Sequence, residues 1–182
     1  MRIITGTARG KKLEILSGEA VRPTTDRVKE SIFNILQFQI EGRRILDLFA
    51  GSGQVALEAL SRGAASAVFV DSSADCIRVI ENNVRNTGFQ KQAKVIKADF
   101  AAFLNSAVEK FDIAFLDPPY KTGQLQKALE LTSHHMTPAG TIVCEHSYDD
   151  ELPESVGEFE RIKSYKYGKI VLTLYRRAEV YL

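Results

Sequence analysis

The sequence predicts an α/β fold: a mostly parallel sheet with helices on both faces, an antiparallel hairpin at its end, and a small β-hairpin and helix at its start. Three observations predict it. Apolar runs that end in an acidic residue alternate five times with helical patterns, which is how parallel strands joined by crossover helices read. After Glu145 the rhythm stops, and two strand-like runs follow with no room for a helix between them. Ahead of it lies a short basic segment with glycines at its turn.

The elements follow in order. Residues 2–5 (Arg-Ile-Ile-Thr) and 12–16 (Lys-Leu-Glu-Ile-Leu) read as short strands around the turn 6–10. From Thr25 to Phe38, Val28, Ile32, Ile35 and Leu36 recur at helical spacing. Thr24 or Thr25 can cap that helix, and Asp26 suits its first turn. The five apolar runs are Arg44–Leu48, with Asp47 near its end, then Ala67–Asp71, Lys94–Asp99, Phe111–Asp117 and Thr141–Glu145. Helical patterns lie near 54–62, 73–87, 99–107 and 122–135. Phe159–Tyr167 and Lys169–Arg177 meet at Gly168 and read as an antiparallel hairpin added to the sheet.

With 24 Lys+Arg against 23 Asp+Glu and 45% hydrophobic residues in 182, the composition is that of a folded globular chain and excludes a disordered one. No apolar run approaches the ~20 residues of a membrane span, and the first residues lack the apolar core of a signal peptide. Only Cys76 and Cys144 occur, so the expected compartment is the cytoplasm, with both thiols reduced and serving as small core residues. His134, His135 and His146 have no metal-ligand spacing, and no metal is expected.

The net charge of +1 hides an asymmetry. Residues 1–29 carry seven basic and three acidic residues, and 161–177 carry six basic residues and no acid, interleaved with Tyr165, Tyr167 and Tyr175. Basic residues among aromatics suit a polyanion with stackable bases, although a solvated strand surface reads the same way.

Asp47-Leu48-Phe49-Ala50-Gly51-Ser52-Gly53 stands where the first strand gives way to its helix. Glycines there let the backbone approach a ligand, and the helix start offers free N–H groups. The spacing Gly51, Gly53, Ala56 also fits a dinucleotide-binding fingerprint. Asp71, 20 residues after Gly51, is placed to accept from ribose hydroxyls in either cofactor class, or to cap a helix. Asp99 and Phe100 offer an edge and a face to an adenine, or begin the next helix. Asp117-Pro118-Pro119-Tyr120 follows the fourth strand. Two prolines stiffen it, so Asp117, the Pro118 carbonyl and the Tyr120 ring keep one geometry at the sheet's carboxyl edge.

This combination resembles the S-adenosylmethionine-dependent amino-methyltransferases of nucleic acids. The run from Arg22-Pro23-Thr24-Thr25-Asp26-Arg27-Val28-Lys29-Glu30 to Phe33-Asn34, the run Leu57-Glu58-Ala59-Leu60-Ser61-Arg62-Gly63-Ala64, and the ending Tyr167-Gly168 with Leu172-Thr173-Leu174-Tyr175 resemble the RsmD family, bacterial 16S ribosomal RNA guanine-N2 methyltransferases. Ala56 and Gln54 depart from the glycine and the small residue expected there.

The resemblance implies a Rossmann-like methyltransferase sheet in one domain, 1–182, with a basic hairpin extension over 1–20 and a catalytic core over 21–182. It implies that Phe49, Gly51, Ser52 and Gly53 pass beneath the methionine part of S-adenosylmethionine, with Asp47 supporting the loop. Asp71 holds the ribose, Asp99 accepts from the adenine amine, and Phe100 packs on the adenine ring. Asp117 and the Pro118 carbonyl accept hydrogen bonds from the two N–H groups of the target amine, Pro119 stiffens the turn, and Tyr120 stacks on the base. Arg9, Lys11, Lys12, Arg22 and Arg27 become candidate phosphate contacts, with Arg22 or Thr24 alternatively helping to close the cofactor pocket. The expected partner is 16S ribosomal RNA in the small subunit or an assembly intermediate, with ribosomal proteins as further candidates, bound by a monomer away from any membrane. Three alternatives remain. A DNA amino-methyltransferase acting on adenine N6 or cytosine N4 uses the same tetrapeptide but ordinarily carries a target-recognition insertion. An NAD-dependent oxidoreductase explains the glycine loop but gives Asp117–Tyr120 no use. A catalytically silent RNA-binding factor gives the acids no use.

Overall fold

The computed structural model describes residues 1–18 and 24–178. Five strands form a parallel sheet: β1 (Arg44–Asp47), β2 (Ser66–Asp71), β3 (Ala93–Lys97), β4 (Phe111–Leu116) and β5 (Met136–Ser147). Helices α2 (Gln54–Ser61), α3 (Ala74–Thr87), α4 (Phe100–Ser106) and α5 (Gln124–Ser133) connect them. Strands β6 (Ser155–Val156), β7 (Phe159–Tyr167) and β8 (Ile170–Arg177) add an antiparallel end, giving the order β3-β2-β1-β4-β5-β8-β7-β6. Strand order reverses between β1 and β4, the crevice where open α/β sheets bind ligands. The predicted fold class therefore stands: an α/β, Rossmann-like, mostly parallel sheet with an antiparallel ending.

The core lies in two apolar layers, one on each face of the sheet. One contains Phe33, Leu36, Ile45, Leu57 and Phe69, the other Leu46, Val70, Phe103, Leu129 and Tyr175, all buried. Alternate strand residues feed opposite layers, as the two-residue strand period requires. Helix α1 (Asp26–Ile35) packs Val28, Ile32 and Phe33 into the first layer. Thr25 is its cap, accepting from the Val28 amide, so of the two candidate threonines the other, Thr24, is left for a different task.

Two expectations are corrected. The opening hairpin is shorter than residues 2–5 and 12–16 suggested: Arg2 bridges Lys12, flanked by hydrogen bonds from the Ile3 amide to the Lys11 carbonyl, the Gly10 amide to the Ile3 carbonyl and the Leu13 amide to the Met1 carbonyl. The outer edge of this segment bonds to α2: the Ile4 and Thr5 amides donate to the Glu58 carboxylate at 2.8 and 2.9 Å, and the Thr7 and Ala8 amides go to the Ser61 carbonyl and hydroxyl. Ile3, Ala8 and Leu13 join the first core layer, so this segment is packed onto the fold. Strand β5 starts at Met136, five residues before the apolar run suggested, because Met136 pairs Phe111 across an irregularity in the β4 ladder.

Candidate active site

A cavity of about 550 Å³ opens at the carboxyl ends of β1, β2, β4 and β5, within the size range of small-molecule sites. Its wall includes Asp47, Asp71, Asp99, Asp117 and Glu145, and among the described residues no lysine or arginine lines it. Such a wall attracts a cation.

The glycine loop crosses the cavity between β1 and α2. Gly51 has φ +58° and Gly53 φ +79°, a region costly for residues with a Cβ. At Gly53 a Cβ would also stand 3.1 Å from the Phe69 ring. At Gly51 it would meet nothing within 4 Å, so bare backbone faces open space. The loop is pinned from three sides. The Gly51 amide donates to Asp71 Oδ2 at 3.0 Å, the Ala50 amide to the Val70 carbonyl, and Asn83 Nδ2 to the Ser52 carbonyl at 2.9 Å.

Asp71 thus holds the loop, and its Oδ1 accepts the Ser73 amide at 2.9 Å. The cap of α3 is Ser73 rather than Asp71. The Cys76 thiol also bonds to Asp71, which lines the cavity. Asp99 is the cap of α4, accepting the Ala101 and Ala102 amides through Oδ2 alone. The helix-start reading of Asp99 holds, and the residue is also exposed and lines the cavity. Phe100 lies beside it, its ring centroid 5.2 Å from that of Phe49 at a tilt of 45°, and the two rings form an apolar shelf.

Asp47 is buried, and its Oδ2 has no hydrogen-bond partner. Burial raises its carboxyl to about 7, against the Ala56 amide, with the Asp71 charge adding to the rise. An unsatisfied buried carboxylate costs free energy unless a cationic ligand or proton relieves it. This orphan oxygen beside the glycine loop, on a wall of acids, fits S-adenosylmethionine, whose methionine part carries an ammonium and a sulfonium. NAD, with its anionic pyrophosphate, fits that wall poorly.

Asp117, Pro118, Pro119 and Tyr120 follow β4 into the same cavity. Burial, then the Glu145 charge, then that of Asp47 push the Asp117 carboxyl well above its ordinary range, against the Thr24 hydroxyl. Thr24 Oγ1 lies 3.4 Å from Asp117 Oδ2 and 3.3 Å from Glu145 Oε2. The Tyr120 hydroxyl donates to Glu145 Oε1 at 3.2 Å. Gln54 Nε2 donates to the Thr24 carbonyl at 3.1 Å, tying α2 to the residue ahead of α1. The departure at Gln54 is therefore a structural tie.

The structure brings together all twelve residues expected for cofactor and catalysis; eleven line the cavity, and the twelfth, Gly53, starts the helix behind the loop. Thr24, one of the two candidates to close the cofactor pocket, lines the cavity, whereas sequence reasoning missed its cluster with Glu145 and Gln54, and Asn83 as the loop's anchor. Glu145 did close an apolar run, as the other acids do, and that was its signal. Of the basic residues, Arg9, Lys11, Lys12 and Arg27 are exposed and make no ion pair among the described residues, whereas Arg22 lies outside them. Cys76 and Cys144 are buried as expected. His146 is buried too, bonded to the Ser147 carbonyl and the Thr173 hydroxyl, each at 2.8 Å. No metal-ligand cluster occurs among the described residues, and no helix among them is long and apolar enough to cross a membrane.

The family model described as Conserved hypothetical protein 95 matches residues 1–176. The chain is 39% identical to YlbH of Bacillus subtilis (strain 168) over 182 residues, covering 97% of this chain and 99% of that protein. It is 33% identical to ribosomal RNA small subunit methyltransferase D of Escherichia coli (strain K12) over 181 residues, covering 97% and 90%. The solved structure of yhhF from Escherichia coli superposes with a TM-score of 0.87 at 32% identity, covering 97% of both chains. With this match running through the glycine loop, the Asp117 turn and the C-terminal hairpin alike, the chain belongs to the Conserved hypothetical protein 95 family, the RsmD methyltransferases.

Proposed function

We propose that the chain methylates the N2 amine of a guanine in 16S ribosomal RNA, within the small subunit or an assembly intermediate, using S-adenosylmethionine. It works as a single-domain monomer in the cytoplasm. One observation carries the reading: Asp117–Tyr120 enters the same cavity as the glycine loop and Asp71, so a base amine and a methyl donor meet there. The ribosomal RNA substrate is supported by the name of the Escherichia coli relative.

S-adenosylmethionine, when bound, would supply an electrophilic methyl: the N2 lone pair would form the new N–C bond while the C–S pair stays on sulfur, and the methylated nitrogen would release one proton to water. The chain's residues make that displacement possible. The guanine N2 lone pair is delocalised, so the nitrogen must pyramidalise to attack. Asp117 and the Pro118 carbonyl accept its two N–H bonds and aim the lone pair. Tyr120 stacks on a base that has left its helix, and the Phe49–Phe100 shelf holds the adenine. Orientation of this kind removes roughly 7–11 kcal/mol of barrier, and the Asp117 charge opposes the cation developing on nitrogen. The raised Asp117 carboxyl must be ionised to accept. The rate therefore climbs with pH as it deprotonates, and Asp117→Asn removes that limb.

The test is single-turnover methylation, with labelled cofactor, of small subunits from cells lacking the protein, with duplex DNA as control and mass mapping of the product. N2-methylguanine should form on 16S RNA alone. Asp117→Ala should lose roughly 10²–10³ in rate. Asn should fall equally far if charge dominates and stay well above Ala if orientation does. Near-wild-type turnover in Asp117→Ala overturns the mechanism. Exposed Arg9, Lys11, Lys12 and Arg27 supply the phosphate contacts, and neutralising the first three should flatten the salt dependence of RNA binding by about 0.7–0.9 log units per lost contact.

A further inference from the structure

Glu145 takes no part in the mechanism above, yet the site is built around it. It is 6% exposed, at the carboxyl edge of β5 beside β4. Tyr120 donates to one of its oxygens and Thr24 to the other, which fixes the rotation of the carboxylate. The same Thr24 hydroxyl reaches Asp117, so one hydroxyl bridges two acids. Burying two like charges side by side is costly. The fold keeps both acids all the same, on the wall of the cavity that Asp117–Tyr120 enters.

The edge of the base decides which ligand that is. Beside the N2 amine, guanine carries N1–H, a second donor. Beside the N6 amine of adenine stands N1, and beside the N4 amine of cytosine stands N3, each a bare lone pair. Two neighbouring carboxylates satisfy a donor–donor edge and repel a donor–acceptor one. Each carboxylate oxygen accepts more than one hydrogen bond, so an oxygen that already accepts a hydroxyl can also accept from a base.

We propose that Glu145 is the specificity residue: it accepts the N1–H of the guanine whose N2 amine Asp117 holds. This rests on the guanine-N2 reading above and adds a recognition element to it. Tyr120 then has two tasks, stacking on the base and orienting the carboxylate that reads its edge. Thr24, held by Gln54, keeps the two acids at one spacing.

The experiment first maps the methylated nucleotide in 16S RNA, then places guanine or 2-aminopurine at that position in reconstituted small subunits. 2-Aminopurine keeps the 2-amine and the stacking surface but presents a lone pair at N1. Wild-type single-turnover rates should favour guanine by at least about 100-fold, as sites built around a hydrogen bond do. Glu145→Gln offers an amide that donates or accepts, so the preference should collapse to within about tenfold, with guanine slowed more than 2-aminopurine. A wild-type preference under about threefold overturns the proposal. So does a Gln variant in which both substrates slow equally, because a purely structural role through Tyr120 predicts that. If mapping finds no N2-methylguanine, the functional reading fails and this proposal with it. If mapping succeeds but discrimination is flat, only this proposal fails.

Discussion

Strand β4 is bracketed by two aspartates, and the fold treats them in opposite ways. At the amino edge of the sheet, Asp112 accepts the Arg44 amide at 2.9 Å on one oxygen and the Thr137 hydroxyl at 3.0 Å on the other. Burial alone would raise its carboxyl, but that amide, that hydroxyl and the Arg44 guanidinium together bring it below the ordinary value. At the carboxyl edge, Asp117 has the Thr24 hydroxyl and two neighbouring acids, and its carboxyl is pushed up. The first strand–helix unit repeats the contrast. Glu58 on α2 is fully buried and accepts from Ile4, Thr5 and Arg62, while Asp47 at the end of β1 keeps one oxygen unpartnered. Acids that a chain satisfies internally hold the fold. Acids left unsatisfied at a sheet's carboxyl edge wait for a ligand.

The sharpest way to break this contrast is Glu58→Ala. It strands the Arg62 guanidinium, 3.0 Å away, and two backbone amides, and it leaves the fully buried Lys29 without the acid that most opposes its desolvation. Losing one partner of a buried charged network costs about 3–5 kcal/mol. Urea unfolding should show that loss, and limited proteolysis should find residues 1–13 released. A loss below about 1 kcal/mol would mean that Glu58 does not anchor the segment.

Asp47→Asn should act with the opposite sign. The folded carboxyl titrates at about 7, above the unfolded value of 3.8. Its contribution to stability is therefore fully present below pH 3.8, is lost as pH rises towards 7, and stays lost above. At 1.36 kcal/mol per unit, the cofactor-free chain carries a penalty on the order of 4 kcal/mol at pH 8, an upper bound. Asn removes the charge, so the variant should unfold at higher urea than wild type at pH 8 and match it near pH 4. Its affinity for S-adenosylmethionine should fall. A variant that is destabilised at pH 8 would place Asp47 among the structural acids.

Asp71 belongs to both classes, since it pins Gly51 and Ser73 and also faces the cavity. Asp71→Ala should lose about 1.5–3 kcal/mol of cofactor binding, the range for hydrogen bonds to a charged group. Calorimetry reads that term, and unchanged affinity would remove Asp71 from the ribose site.

The carboxyl-edge acids were visible in the sequence because strand ends and sheet edge coincide: Asp71, Asp99 and Asp117 each close or follow an apolar run. Glu145 closed a run in the same way, but its meaning depends on β5 lying next to β4 and on a threonine 121 residues away. The Gln54–Thr24 tie spans 30 residues and carries no periodicity. The opening hairpin was overestimated in length because alternation in 2–5 and 12–16 signals strands, and nothing local says that Glu58 and Ser61 will bond its outer edge. Pattern reads neighbours along the chain, and these features are settled by neighbours across it.

The smallest expected effect tests the amino edge. Asp112 sits below its unfolded value, so its contribution to stability is present above that value and is lost as pH falls through the folded one. Asp112→Asn keeps the shape and one acceptor oxygen for the Arg44 amide or the Thr137 hydroxyl, but it removes the charge facing Arg44, whose side chain is 52% exposed. Solvent screens that pair, so the loss at pH 7 should stay within about 1 kcal/mol. It should shrink towards zero in acid, as the gain from Asp47→Asn does, but with the opposite sign. Parallel urea titrations of the two variants against wild type from pH 3 to pH 8 measure both trends together. Curves of the same sign would show that position on the sheet does not sort these acids. Divergent curves would show that the fold places its hydrogen bonds on the acid at one edge and withholds them from the acids that line the cavity at the other.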